Sequence, residues 1–228
     1  MPERIRVGAL ASGGGTNLQA IIDGCADGTI DAEVALLISD NPDAGAIERA
    51  CEAGIPTQHV SVGKDLSDEF FEADVTHLEL LADYGVDLVA LAGYMRRIGV
   101  GVLKAYPSRV MNIHPALLPS FPGAHGQRDA VRKGVRISGC TVHFADEEFD
   151  RGPIIIQAAV PALPGDDEAA LGARILRQEH KIFPQAIQWF AEGRLVVEDY
   201  QVRVEPPPPA YTQDDGFIIS PGIDSATI

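Results

Sequence analysis

Cysteine is scarce in this chain: Cys25, Cys51 and Cys140 are the only three in 228 residues. They are too few, and too far apart, for a disulfide framework or a zinc ribbon. A reducing compartment fits that usage best. Positive charge is also short: 18 Lys and Arg face 33 Asp and Glu, a formal net charge of −15. That deficit excludes non-specific nucleic-acid binding, which depends on cations neutralising phosphates. It also means that an anionic ligand needs a local positive pocket or helix N-terminus to overcome the global field. No apolar run is long enough to cross a bilayer. The opening MPERIRVGAL lacks the apolar core and small-residue cleavage site of a signal peptide. A cytoplasmic address, with no membrane partner, is the expectation.

What is present is an ordinary globular composition, 46% hydrophobic and 22% charged. The length suffices for one domain with a large core. Residues 4–11, 33–39, 56–60, 87–92 and 110–113 read as strands, the first a buried one. Residues 16–26, 45–53 and 67–84 read as helices between them. In the last of these Ser67 is placed to cap, with Phe70, Phe71, Val75, Leu78 and Leu81 on one side. The alternation predicts an α/β, Rossmann-like fold, with a largely parallel sheet and helices on both faces. Its second half differs: 138–144 and 154–160 form a hairpin-like pair of strands. A long helix over 166–192 follows, interrupted near Pro184, and then one or two short strands over 195–204. Residues 1–205 are read as the folded domain. Residues 206–228, which begin with a run of four prolines, are read as an extended or disordered appendage.

Three segments carry chemistry. Ser12-Gly13-Gly14-Gly15-Thr16-Asn17 joins the first strand to the first helix. Glycines allow close backbone approach, and a helix N-terminus offers free N–H groups to an anion. The loop is neither a dinucleotide fingerprint nor a Walker loop, so a single phosphate suits it better. The bland alternative is a turn that needs glycine for geometry alone. Asn112-Ile113-His114-Pro115 ends the fifth strand, where residues i and i+2 share a face. An amide beside an imidazole suits oxyanion stabilisation and proton handling. The acidic turn Asp146-Glu147-Glu148-Phe149-Asp150 precedes Arg151-Gly152-Pro153. A carboxylate near an imidazole favours its charged form, but spacing does not choose between Asp146 and Asp150.

Together these segments resemble the folate-dependent formyltransferases, and within them the members acting on glycinamide ribonucleotide. The matching pieces also include Leu91-Ala92-Gly93-Tyr94-Met95-Arg96, Leu117-Leu118-Pro119, Thr141-Val142-His143-Phe144 and Gln178-Glu179-His180, collinear over about residues 4–200. The resemblance implies transfer of the formyl group of 10-formyltetrahydrofolate, as co-substrate, to the amine of the ribonucleotide, without metal. It implies catalytic roles for Asn112, His114 and Asp150. Gly15, Thr16, Asn17 and Glu179 would bind the ribonucleotide. Met95, Arg96, Arg97 and Ile98, with Asn112, Asp146, Glu147, Glu148, Phe149 and Asp150, would line the folate pocket. Partners would be small molecules, with a homodimer left open. Two departures stand out. Residues 67–71 lack the arginine that the family often places there to meet folate, and Arg97-Ile98-Gly99 follows Met95-Arg96 where Ile-Leu-Ser is common. The alternatives are a formyltetrahydrofolate deformylase, which would carry an N-terminal regulatory domain, and a methionyl-tRNA formyltransferase, which would need a further C-terminal domain and a basic surface. A non-catalytic nucleotide-binding module would explain the glycine loop but not Asn112, His114 and Asp150.

Overall fold

Apolar runs too short for helices and too continuous for one-sided strands must be covered on both faces. In the computed structural model, which describes residues 4–63, 67–214 and 216–224, they form parallel strands. Two compact units divide after Asn112.

The first unit contains β1 (Ile5–Leu10), α1 (Thr16–Asp27), β2 (Ala32–Ser39), α2 (Gly45–Glu52), β3 (Thr57–His59), α3 (Asp68–Asp83), β4 (Leu88–Leu91) and α4 (Val100–Ala105). It closes on the first three residues of β5 (Val110–His114). The order β3-β2-β1-β4-β5 is parallel throughout. Successive residues such as Ala9 and Leu10, or Leu88, Val89 and Ala90, are wholly buried. The chain winds from β1 to β2 and β3, then returns to β4 on the other side of β1. The switch point therefore lies beyond the C-termini of β1 and β4, where such sheets bind ligands.

Ser67 caps α3 as expected, its hydroxyl accepting from the Phe70 N–H at 3.2 Å. The buried stripe, however, runs through Phe70, Ala73, His77 and Leu81. Phe71 and Val75 are exposed, contrary to the sequence reading. Small Ala73 and a histidine fill the core face, so counting large apolar residues put the stripe out of phase. His77 is 2% exposed and stacks edge-on against Tyr94. Burial pulls its pKa down from 6.5 to about 4. The folded state thus holds His77 neutral while the unfolded chain takes up a proton below pH 6.5. Stability is expected to fall as pH drops from 6.5 to about 4, by about 3 kcal/mol from this group. Urea unfolding of the wild type and of His77→Gln at pH 7.5 and pH 4 checks it: the loss on acidification should be smaller in the variant by that amount.

The second unit begins with the last two residues of β5 and adds α5 (Gly126–Lys133), β6 (Ile137–Phe144), β7 (Ile154–Pro161), α6 (Glu168–Ala191), β8 (Leu195–Glu198), β9 (Gln201–Val204), β10 (Thr212–Asp214) and β11 (Phe217–Ser220). β6 and β7 pair antiparallel, as the hairpin reading requires, and β8 pairs with β9. Asp167 caps α6, accepting from Ala170 N–H at 2.8 Å. The expected interruption at Pro184 is corrected: α6 runs unbroken through it. An internal proline costs about 3 kcal/mol or more. Here burial of Ile182, Phe183, Ala186, Ile187 and Trp189 around it outweighs that penalty.

The stretch after residue 205 also differs from its expectation. Its described residues are built into the unit. β11 pairs antiparallel with β7, and β10 with β11. Phe217 and Ile219 face inward while Ile218 and Ser220 face out. Beyond them Asp224 accepts from Trp189 Nε1 at 2.8 Å and pairs with Arg194 at 2.6 Å. Ile219 is wholly buried, so Ile219→Ala is expected to lower the unfolding free energy by about 2–4 kcal/mol. Turnover per folded molecule should stay near that of the wild type, measured by denaturant titration beside kcat. Among the described residues no helix is long and apolar enough to cross a membrane.

Candidate active site

The site residues of the second unit begin where β5 ends. His114 is 4% exposed. Two residues before it, Asn112 lies half-buried on the same face of the strand. The His114 Nε2 lies 2.9 Å from the Phe121 carbonyl oxygen. A carbonyl can only accept, so Nε2 carries a proton and donates it. The other nitrogen, Nδ1, is 3.5 Å from Asp150 Oδ2. The loop that supplies the carbonyl is tightly bent: Phe121 has φ 53° and Gly123 φ 92°. The Gly123 N–H donates to the same Asp150 oxygen at 2.7 Å.

Asp150 is therefore a buried carboxylate, 6% exposed. Such a group is tolerated only where donors or cations face it. Its other oxygen lies 3.8 Å from His143 Nε2. His143 is the penultimate residue of β6, beside a register shift, and its Nδ1–H donates to the Phe144 carbonyl at 3.0 Å. Burial pushes the His143 pKa down, against the opposing pull of that hydrogen bond and of the Asp150 charge. Asp150 thus sits between two imidazoles. His143 had no assigned role in the sequence reading. Its signal there was membership of the matching segment Thr141-Val142-His143-Phe144, as a polar residue near the end of an apolar strand.

The backbone around Asp150 is constrained. Its φ is 54°, a left-handed value uncommon for any residue with a side chain. A Cβ on Gly152 would sit 1.7 Å from the Phe144 carbonyl oxygen, so only glycine fits there. Asp146 steadies the start of the turn, accepting from the Glu148 N–H at 3.0 Å and from the Tyr200 hydroxyl. Burial raises the Asp146 pKa. Glu147, Glu148 and Phe149 are exposed. Glu179 lies on α6, 5% exposed, and its charge reaches buried Cys140 on β6.

In the first unit the glycine loop opens α1. Gly15 occupies its N-cap position at φ 72°, with no side-chain cap and no acid in the first turn. The N–H groups of Thr16 and Asn17 belong to that first turn, which suits an anion. A Cβ on Gly15 would meet Ala46 Cα at 2.6 Å. Gly13 and Gly14 are exposed, and a Cβ on either meets nothing within 4 Å. Arg49, from α2, donates to the Gly14 carbonyl at 2.8 Å and to Gln19 at 3.2 Å. Arg49 thus places a cation beside the glycine loop. It was not legible in sequence, because a helix 35 residues away brings it.

The neighbouring segment after β4 holds Met95, 62% exposed, and exposed Arg96 and Arg97, with Ile98 half-buried. Arg96 pairs with Asp40 at 2.8 Å. The structure thus groups the expected residues in two sets: His114 with Asp150 in one unit, and the glycine loop beside the 95–98 segment in the other.

The formyl transferase family pattern matches residues 5–187. The phosphoribosylglycinamide formyltransferase of Escherichia coli K12 is 40% identical over 209 residues, covering 90% of this chain and 98% of that protein. The trifunctional purine biosynthetic protein adenosine-3 of Drosophila melanogaster is 44% identical over 196 residues, 85% of this chain but 14% of that protein. Among solved structures, glycinamide ribonucleotide transformylase 1 from Symbiobacterium toebii superposes with a TM-score of 0.85 at 51% identity, covering 90% of this chain and 95% of that one. A formyltetrahydrofolate deformylase from Pseudomonas syringae reaches a TM-score of 0.81, but at 28% identity and over 66% of its own length.

Proposed function

This chain belongs to the formyl transferase family, and we propose that it transfers the formyl group of 10-formyltetrahydrofolate to the amine of glycinamide ribonucleotide. The observation that carries the chemical part is the buried Asp150 carboxylate held against His114, at the end of the strand that also presents Asn112. The amine nitrogen attacks the formyl carbon, and the carbonyl π pair moves to oxygen as a tetrahedral oxyanion. Asn112 and protonated His114 donate to that oxygen. The nitrogen–carbon bond to the folate then breaks, and the proton shed by the attacking amine reaches the departing folate nitrogen, with Asp150 assisting. Proton count and charge balance without a metal or a covalent enzyme intermediate.

His114 Nε2–H is engaged by the Phe121 carbonyl. On this reading it exchanges that neutral acceptor for the oxyanion, and charge-assisted hydrogen bonds are roughly twice as strong. Nδ1–H then faces Asp150, which supports the imidazolium. Holding both reactants in place removes much of the entropic barrier. Gly15, Thr16 and Asn17 would cradle the ribonucleotide phosphate, and Glu179 would contact its ribose. Residues 95–98 and the 146–150 turn would receive the folate. The compartment is the cytoplasm, and the partners are small molecules.

The test is an assay with both substrates, resolving formylated ribonucleotide from free formate. Formylated product that requires both substrates supports the proposal. Formate released without ribonucleotide would make the chain a deformylase, and binding without either product would make it a nucleotide-binding module.

A further inference from the structure

The switch point of the first unit is locked by a small set of hydrogen bonds that converge on Ser12. Its N–H donates to the Gly93 carbonyl at 3.1 Å. Its hydroxyl accepts from the Met95 N–H at 2.8 Å, and its carbonyl accepts from Asn41 Nδ2 at 3.2 Å. Asn41 is itself pinned: its N–H donates to Ser39 Oγ at 3.2 Å, and its side-chain oxygen accepts from the Asp43 N–H at 3.1 Å. Its neighbour Asp40 holds Arg96 at 2.8 Å. The loops after β1, β2 and β4 are thereby joined, and the hydroxyl is the one side-chain group of Ser12 in the lock.

From this we infer that Ser12 is a positioning residue that couples the two substrates: it links the glycine loop at 13–17 to the 95–98 segment. The inference rests on the functional reading above, which assigns the first segment to the ribonucleotide and the second to the folate. Met95 is largely exposed, and its N–H is fixed to the body of the sheet through one hydroxyl. An anion seated on the glycine loop bears on the backbone of Ser12, one residue before Gly13. The Ser12 hydroxyl in turn sets the Met95 N–H and the backbone on which the second ligand lies. A ligand that favours one position of Ser12 thereby favours the matching position of that backbone, so the two bind cooperatively. Linkage requires the effect to be reciprocal.

The test uses tetrahydrofolate, which carries no formyl group to transfer, so binding is read without turnover. Its Kd is measured by calorimetry with and without saturating glycinamide ribonucleotide. In the wild type the ribonucleotide should tighten tetrahydrofolate binding about 5-fold or more, and in Ser12→Ala the ratio should fall to within about twofold of one. Amide exchange at Met95 should slow on adding the ribonucleotide alone to the wild type, and should not respond in Ser12→Ala. A purely structural role would lower the melting temperature of Ser12→Ala and leave the binding ratio intact, and that result overturns the inference. So does a ratio of one in the wild type. If the wild type binds neither ligand, the functional reading itself falls and the coupling with it.

Discussion

Asp150→Asn should lower kcat by about 10²–10⁴-fold, while the KM for glycinamide ribonucleotide changes little. The surroundings of Asp150 make this substitution a clean removal of charge. The oxygen of asparagine can take the place of Oδ2 and accept from the Gly123 N–H. Its NH₂ takes the place of Oδ1 and faces His143 Nε2, 3.8 Å from that position, whose ring donates from Nδ1 to the Phe144 carbonyl. The fold keeps its hydrogen bonds, and the variant should melt close to the wild type. What disappears is the negative charge beside His114 Nδ1, and with it the support for an imidazolium in the transition state. An interaction made only there lowers kcat rather than raising KM. His114→Ala should be as damaging, and the double variant should lose little more than either single one if the pair acts as a unit. If Asp150 were only a turn residue, Asp150→Asn would turn over almost normally.

The second large effect separates two adjacent glycines. Gly15→Val combines a β-branched residue at φ 72° with a Cβ only 2.6 Å from the Ala46 backbone. It should destabilise the chain by at least about 3 kcal/mol, so a rise in KM there would not isolate phosphate binding. Gly14→Ala has open space around its new Cβ, and its melting temperature should hold. If an anion lies against this backbone, one added methyl costs about a charged hydrogen bond, roughly 1.5 kcal/mol or more, and raises the KM for the ribonucleotide about tenfold. The KM for 10-formyltetrahydrofolate should move much less. Equal rises for both substrates would count against a phosphate cradle in this loop.

β1 and β4 of the first unit were legible because buried parallel strands are uninterrupted apolar runs. The short helices α4 and α5 escaped. α5 reads GQRDAVRK and buries only Gly126 and Ala130, so no apolar period marks it. β11 escaped for a different reason. Its alternation at Phe217 and Ile219 is real, but a run of prolines precedes it, and the β7 register that makes it a strand is set by distant residues. In the site, Asn112 and His114 were legible because both lie on one strand. The pairing of His114 with Asp150, the second imidazole at His143 and the cation at Arg49 depend on which loops the fold brings together. No local pattern encodes those contacts.

The late strand β11 has a consequence for how the protein is made. Chains emerge from the ribosome N-terminus first. β7, with sequence IIIQAAVP, therefore pairs with β6 while the residues that cover its other side are still untranslated. During that interval the nascent protein displays an apolar strand with unpaired N–H and C=O groups, the kind of template on which chains aggregate. A ribosome that stalls before residue 217, or a protease that clips there, leaves the template permanently open. Such a product would be removed by association with its own copies before any loss of chemistry could be measured, and expression trials of shortened versions should register it as insolubility rather than as inactivity.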